Sequence, residues 1–299
     1  MNASKLEVSD APTPIAPPAV EQEARSDRTF VIKPSSRWPR LDVAELWHYR
    51  ELLQTLVWRD VVVRYKQTFL GVAWAILVPA FTALIYIIVF GKFADFPDGG
   101  LHYAVLVVAG VLPMQYFVSS LMNSSMSLAN NLALVTKVYF PRVLLPLAAV
   151  IVPMVDLIVG LPVLVVVMWV YESWPHGWEI LLAPAFLSLA LLTALGAGFF
   201  LSALNVRYRD VRYVIPVLLP VLPLVSGVIY EVQELPTKWQ WVLSLNPMTT
   251  VVSGWRWCVV DAVQPDLAQS AVGVSVALAM FFVGLTVFRS TEPKFADTI

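Results

Sequence analysis

The stretch Val143–Tyr171, VLLPLAAVIVPMVDLIVGLPVLVVVMWVY, decides the fold class. Asp156 is its only charged residue. An α-helix needs about 20 apolar residues to cross the hydrocarbon core of a bilayer, and this stretch is longer than that. We therefore expect it to form a membrane span.

Five more windows have the same character and contain no charged residue: Leu70–Phe90, Tyr103–Leu121, Ile180–Val206, Tyr213–Tyr230 and Ser270–Phe288. Of the 299 residues in the chain, 58% are hydrophobic and 14% are charged. A soluble domain carries roughly 25% charged residues. The sequence therefore predicts an all-α membrane protein with six transmembrane helices.

The rest of the chain is organised around these spans. Residues 1–40 are rich in Pro and acidic residues, too polar to offset their ordering entropy, and we predict a disordered head without a secretory signal. Residues 41–69 contain Val43–Val57, which is amphipathic at helical period and predicts an interface helix followed by a lead-in. Two roles for that helix stay open: it only anchors the chain at the membrane surface, or it also has a mechanical role. Residues 70–290 hold the spans, and residues 291–299 form a short tail.

Cations near the span ends predict the orientation in the membrane. The opposite side carries only Lys92, Lys238 and Arg256. We therefore expect both termini to be cytoplasmic. The N-terminal side carries Arg50, Arg59, Arg64, Lys66, Lys137, Arg142, Arg207, Arg209, Arg212, Arg289 and Lys294.

The segment between spans five and six is unusual for a loop. It includes KWQWVLSLNPMTTVVSGWRW, Lys238–Trp257, with four tryptophans and two apolar runs too short to cross a bilayer. Such runs are tolerated at membrane depth when they pack against protein. We predict re-entrant helices here; an aromatic belt at the headgroups is the alternative.

Chemical signatures are sparse. Asp156 is the only carboxylate inside a span, and without an intramembrane cation to pair with it we assign it a structural role. The single cysteine, Cys258, excludes an internal disulfide. No P-loop, acidic glycosyltransferase motif, metal site or catalytic constellation is evident, and the segregated charges give no sign of nucleic-acid binding. We predict a protein that is not an enzyme.

Two segments carry possible function. Span five contains Pro216, Pro220 and Pro223, which free backbone carbonyls on one face. The span is either a wall of a polar pathway or a helix kinked to fit its neighbours. The segment KVYFPR, Lys137–Arg142, combines aromatic and basic side chains on the cytoplasmic side. It is either a docking surface or a set of topology determinants and interface anchors.

Several blocks together resemble the membrane subunits of ATP-binding-cassette (ABC) exporters for polysaccharides and polyol phosphates, which move O-antigen, capsule or teichoic-acid chains. The resemblance covers about residues 46–288, and the long Pro-rich head departs from it. The blocks, in order, are RDVVVRYKQTFLGVAWAILVP, GVLPMQYF, NNLALVTKVYFPRVLLP, LNVRYRDVRYVIPVLLP and LNPM.

The resemblance implies that residues 70–290 are a permease domain in the bacterial inner membrane. Its partners would be two copies of a separate ABC ATPase, which binds ATP and Mg, a second copy of this chain, membrane lipids and a lipid-linked glycan. No cofactor is expected in this chain. The ATPase would dock at Lys137, Val138, Tyr139, Phe140, Pro141 and Arg142.

The resemblance also implies a route for the glycan through a channel between two copies of the chain. The cytoplasmic entrance would comprise Arg59, Arg64, Lys66, Arg207, Arg209 and Arg212. The substrate path would be lined by Trp74, Phe81, Pro216, Pro220, Pro223 and Tyr230. The outer gate would contain Trp239, Trp241, Trp255 and Trp257.

Three other functions stay open at this point. The same architecture serves exporters of drugs or lipids. A secondary transporter would need more intramembrane titratable groups than Asp156 alone. A membrane glycosyltransferase would need the acidic motif that is missing here.

Overall fold

A computed structural model describes residues 47–66, 71–93, 102–208 and 210–292, and these residues include no β-strand. The predicted head 1–40, Arg209 and Lys294 lie outside the described residues. The helices are α1 (Arg50–Lys66), α2 (Ala73–Tyr86), α3 (Tyr103–Asn130), α4 (Leu132–Lys137), α5 (Leu144–Val170), α6 (Ala183–Arg207), α7 (Val211–Leu218), α8 (Leu222–Val225), α9 (Thr237–Ser244), α10 (Pro247–Val260) and α11 (Leu267–Thr291).

Five helical segments of the described residues are long and apolar enough to cross a membrane: Ala73–Gly91, Tyr103–Asn130, Leu144–Val170, Trp178–Arg207 and Leu267–Thr291. They correspond to five of the six predicted spans. The sixth prediction, Tyr213–Tyr230, falls on a shorter apolar segment, Val211–Val225. Pro220 and Pro223 stand near the starts of a 3₁₀ turn and of α8, and they divide this segment into pieces because proline cannot donate a backbone hydrogen bond.

Helix α3 is the centre of the bundle and packs against α2, α5, α6 and α10. Its first half is a nearly continuous buried apolar run, and its second half buries the serines 120, 124, 125 and 127. Small residues also let helices approach closely elsewhere. A Cβ on Gly284 would lie 2.0 Å from the carbonyl oxygen of Gly196, so α11 and α6 touch through their backbones there.

The two ends of the bundle are distinguished by their contacts. The end that holds α4 and the start of α5 is the lower end, and the end that holds the start of α3 is the upper end. A second apolar cluster, which includes Leu56, Phe140, Leu144 and Phe288, joins α1, α5 and α11 at the lower end.

The predicted interface helix is longer than its amphipathic pattern suggests, because α1 continues to Lys66 and packs along α5. Leu56 is buried in that contact, whereas Trp47 and Trp58 are exposed. The predicted pair of short helices between spans five and six corresponds to α9 and α10. Asn246 begins α10 by accepting a hydrogen bond from the Met248 amide.

Candidate functional site

The predicted docking segment lies at the lower end, where the chain turns from α4 into α5. Val138 ends α4 in an extended conformation. Tyr139 is 80% exposed, whereas Phe140 is 6% exposed and packs in the lower apolar cluster. Lys137 and Val138 are also exposed, and Pro141 is buried. The exposed surface is therefore Lys137, Val138 and Tyr139, and Phe140 supports it from beneath instead of forming part of it.

The chain is tethered to other helices on both sides of the exposed residues, at Asn131 where α4 begins and at Arg142 where the segment ends. On the α4 side, Arg59 Nη2 of α1 donates to Asn131 Oδ1 at 2.9 Å. On the α5 side, the Arg142 amide donates to Glu292 Oε1 at 3.1 Å, and Arg142 Nη1 donates to the Glu292 carbonyl. Arg289 Nη1 donates to the other oxygen of the Glu292 carboxylate at 3.0 Å. The segment is thus linked to α1 and to the end of α11.

The described cations predicted at the cytoplasmic entrance have different partners. Arg59 lies 2.7 Å from the carboxylate of Asp60. Arg207 lies over the ring of the neighbouring Tyr208, and Arg212 lies over Tyr213. Lys66 is exposed.

Asp156 differs from its predicted environment, because a cation does pair with it. Arg64 Nη2 lies 2.7 Å from Asp156 Oδ2, and the Tyr65 hydroxyl donates to Asp156 Oδ1. Burial, with the hydrogen bond to Asp156, raises the pKa of Tyr65, so the phenol stays protonated as a donor. The pairing was not expected because Arg64 precedes the first span in sequence and was counted as a loop charge.

The residues predicted to line the path are mostly at the surface of this single chain. Trp74 and Phe81 are exposed on α2, and Pro216 and Pro220 are exposed on the segmented helix. Two members of the set are only partly exposed: Pro223 and Tyr230. The Tyr230 hydroxyl donates to the Leu224 carbonyl at 3.0 Å.

The four tryptophans predicted as an outer gate separate into two groups. Trp239 and Trp241 are exposed on α9. Trp257 is partly buried on α10, and Trp255 is 4% exposed within the main core. Trp255 is therefore a packing residue, because α10 buries most of its surface against α3 and α6.

Arg256, predicted as an outer loop charge, has a different environment, which no local sequence pattern indicates. It is 2% exposed and lies on α10 at the upper end. Its Nε donates to the Leu106 carbonyl at 2.9 Å, and its Nη1 donates to the carbonyls of Gly227 and Tyr230 at 2.7 and 3.1 Å. Its Nη2 donates to the Val228 carbonyl.

Through these hydrogen bonds, the Arg256 side chain of α10 connects the residues that follow α8 with the first turns of α3. Gly110 permits the contact, since a Cβ there would lie 2.5 Å from the Arg256 guanidinium. Glu231 is the nearest buried carboxylate. Burial raises the pKa of Glu231, and the charge of Arg256 partly opposes that rise.

The described residues contain no group of three or more His, Cys, Asp or Glu side chains placed to hold a metal ion. They combine long apolar helices with tethered surface segments and a broken apolar helix. This arrangement defines a multi-pass helical membrane protein.

Comparison with known proteins specifies the class further. The sequence profile of the ABC-2 type transporter family matches residues 51–260, and the chain belongs to that family. It is therefore a transport component. The match includes the predicted docking segment, the predicted path residues and Arg256.

Individual relatives are similar over almost their full length. The chain is 27% identical to the O-antigen export system permease protein RfbA of Myxococcus xanthus, over 86% of this chain and 98% of that protein. It is 25% identical to the protein of the same name from Klebsiella pneumoniae, over 83% of this chain and 95% of that protein. It is 24% identical to the polysialic acid transport protein KpsM of Escherichia coli, over 80% of this chain and 93% of that protein.

Proposed function

We propose that this chain is the transmembrane subunit of an ABC exporter that moves a lipid-linked polysaccharide out of the bacterial cytoplasm. The observation that carries the proposal is the match to O-antigen and polysialic acid export proteins over at least 93% of the length of each of the three relatives described. Exporters of this family need an energy source whichever cargo they move. ATP and Mg are bound by a separate ATPase subunit, present in two copies.

The segment Lys137–Tyr139 is the surface that meets this ATPase. Its exposed tyrosine resembles the aromatic anchors that dominate protein–protein interfaces. The hydrogen bonds at Asn131 and Glu292 give the segment a mechanical connection to α1 and α11. A displacement of the segment by the ATPase is carried into those helices, and through buried Phe140 into the start of α5.

The orientation follows from the distribution of cations. The lower end faces the cytoplasm with both termini, in the inner membrane, and the upper end faces outward. The segmented helix α7–α8 completes six spans, α1 lies at the cytoplasmic interface, and α9 and α10 form a re-entrant pair. The variant Tyr139→Cys tests this orientation. An impermeant maleimide should label the new cysteine only after the membrane is permeabilised, and labelling in intact cells would contradict the orientation.

Two copies of the chain enclose the path for the glycan. The exposed apolar faces of α2 and of α7–α8 support this arrangement, because both faces lack a partner within the described part of the chain. Trp74 and Phe81 offer aromatic faces to sugar rings. Trp239 and Trp241 stand at the outer opening, and the cations around Lys66 and Arg212 stand at the inner one.

Deletion of the gene tests the proposal directly. We expect the surface polysaccharide to disappear and lipid-linked glycan to accumulate inside the cell, with both effects reversed by the wild-type chain. Unchanged surface glycan together with a new sensitivity to drugs overturns the proposal and favours a drug exporter of the same architecture.

A further inference from the structure

A cavity of about 110 Å³ lies between α2, α3, α5 and the end of α1. A single water needs at least about 10–15 Å³, so the cavity has room for several water-sized groups. Trp74 lines one side of it, and Asp156 with Arg64 lines another. It is separate from the docking segment at the lower end.

One face of α3 presents polar groups to this cavity without binding partners. Tyr116 is 2% exposed, and its hydroxyl has no hydrogen-bond partner at normal geometry. Gln115 and Ser119 line the same cavity, and neither side chain makes a hydrogen bond with the described residues. Buried polar groups are normally paired, so the Tyr116 hydroxyl, beside the partly exposed Gln115 and Ser119, indicates a ligand with hydrogen-bonding groups of its own.

The charges at the cavity indicate what kind of ligand fits. Arg64 is paired with Asp156 at 2.7 Å, and the second carboxylate oxygen accepts from Tyr65. The pair carries no net charge. A phosphate would find the guanidinium already neutralised and a carboxylate beside it, whereas a neutral polyol would find donors and acceptors together.

We propose that this cavity binds one neutral sugar ring of the exported glycan, a claim that rests on the proposed function and adds a subsite to it. The ring stacks on the indole of Trp74. Its hydroxyls pair with the amide of Gln115 and with the hydroxyls of Tyr116 and Ser119. This combination of an aromatic wall with a few convergent polar groups is typical of small-molecule sites.

The test uses the full chain in lipid nanodiscs and two amphiphiles below their micelle-forming concentrations, octyl β-glucoside and octyl phosphate. Affinity is read from the dependence of Tm on ligand concentration. We expect the glucoside, and not the phosphate, to raise Tm. Tyr116→Phe should weaken glucoside binding about fivefold, since it removes one hydrogen bond to the ligand.

Two controls separate binding from folding. Without ligand, Tyr116→Phe should not lower Tm, because it removes a buried hydroxyl that no hydrogen bond of normal geometry satisfies. Trp74→Ala should abolish the glucoside effect, whereas Trp169→Ala, which removes an exposed aromatic of α5 that does not line the cavity, should preserve it.

Two results overturn the subsite. A larger increase in Tm with octyl phosphate than with octyl β-glucoside identifies an anion site. Equal increases with both amphiphiles, unchanged by Trp74→Ala and by Tyr116→Phe, identify binding of the alkyl chain. Surface glycan measured in the deletion strain reports on the proposed function separately. If glycan export still depends on this chain but either of those binding results is found, the subsite is refuted and the proposed function stands.

Discussion

Helices α3 and α2 are both apolar enough to span a membrane, yet they occupy opposite environments. Helix α3 is enclosed by its neighbours along most of its length. Helix α2 buries only Ala75, Pro79 and Ala83, a stripe of small residues spaced four apart, and presents Trp74 and Phe81 outward. In a membrane, small residues make the helix contacts, and large apolar residues can remain on the outward face, where lipid or a second copy of the chain covers them. Hydropathy identifies spans, and the placement of small residues identifies their packed faces.

Loss of Arg256 should have the largest effect, because it disrupts the enclosed side of the bundle. Arg256→Met leaves the carbonyls of Leu106, Gly227, Val228 and Tyr230 without their donor. We expect the free energy of unfolding to fall by about 3 kcal/mol or more, since the three carbonyls outside a helix lose their donor and each buried unsatisfied polar group costs about 1–3 kcal/mol. Titration with dodecyl sulfate in mixed micelles measures it.

Lys238→Met provides the matched control for Arg256. Lys238 was also predicted as an outer loop charge, but its side chain is exposed. Its replacement should change the unfolding free energy by less than about 0.5 kcal/mol. Equal losses in the two variants would mean that Arg256 does not fasten the upper end.

Substitutions on the two faces of α2 should differ in their effect on stability, and the larger effect should be intermediate in size. Ala83→Leu adds volume at a residue that is 2% exposed, and overpacking should cost about 1–3 kcal/mol of unfolding free energy. Phe81→Ala, on the exposed face, should leave that free energy almost unchanged in the isolated chain. The same titration compares them, and a larger loss for Phe81→Ala would reverse the assignment of the two faces.

The smallest effect concerns the carboxylate near Arg256. Because burial raises the pKa of Glu231, its protonated form stabilises the fold at acid pH, and this contribution is lost as the pH rises through the raised pKa. Glu231→Gln keeps the neutral form at every pH. We expect Tm of Glu231→Gln to exceed that of the wild type at pH 8, with a smaller difference at pH 5. Glu234→Gln, which alters an exposed carboxylate, should show no such trend.

Much of the fold follows from local sequence properties. Five spans and the two short helices of the Lys238–Trp257 region depend on composition or on a few adjacent residues. These properties act over one or two helical turns, so a window of sequence contains the information. The sixth span depends on how three prolines divide a helix, and composition alone does not determine the length of the pieces.

The contacts that organise the candidate site are not local. Arg256 and its acceptor in Leu106 are 150 positions apart, and Arg59 and Asn131 are 72 apart. Neighbouring aromatics also take opposite roles, since Tyr139 is exposed and Phe140 is buried. Charge counting treated Arg64 and Arg256 alike as span-end cations, whereas one pairs with a carboxylate and the other with backbone carbonyls.

The central claim is that energy from ATP reaches this chain through the exposed segment Lys137–Tyr139. The most direct measurement is the affinity of the purified chain for the proposed ABC ATPase subunit. Tyr139→Ala should weaken binding about 30-fold, as loss of an anchor worth about 2 kcal/mol does. Trp178→Ala, which removes an exposed aromatic from the predicted opposite side, should have no effect. Full affinity and full ATP-driven glycan export in the Tyr139→Ala protein would contradict the account.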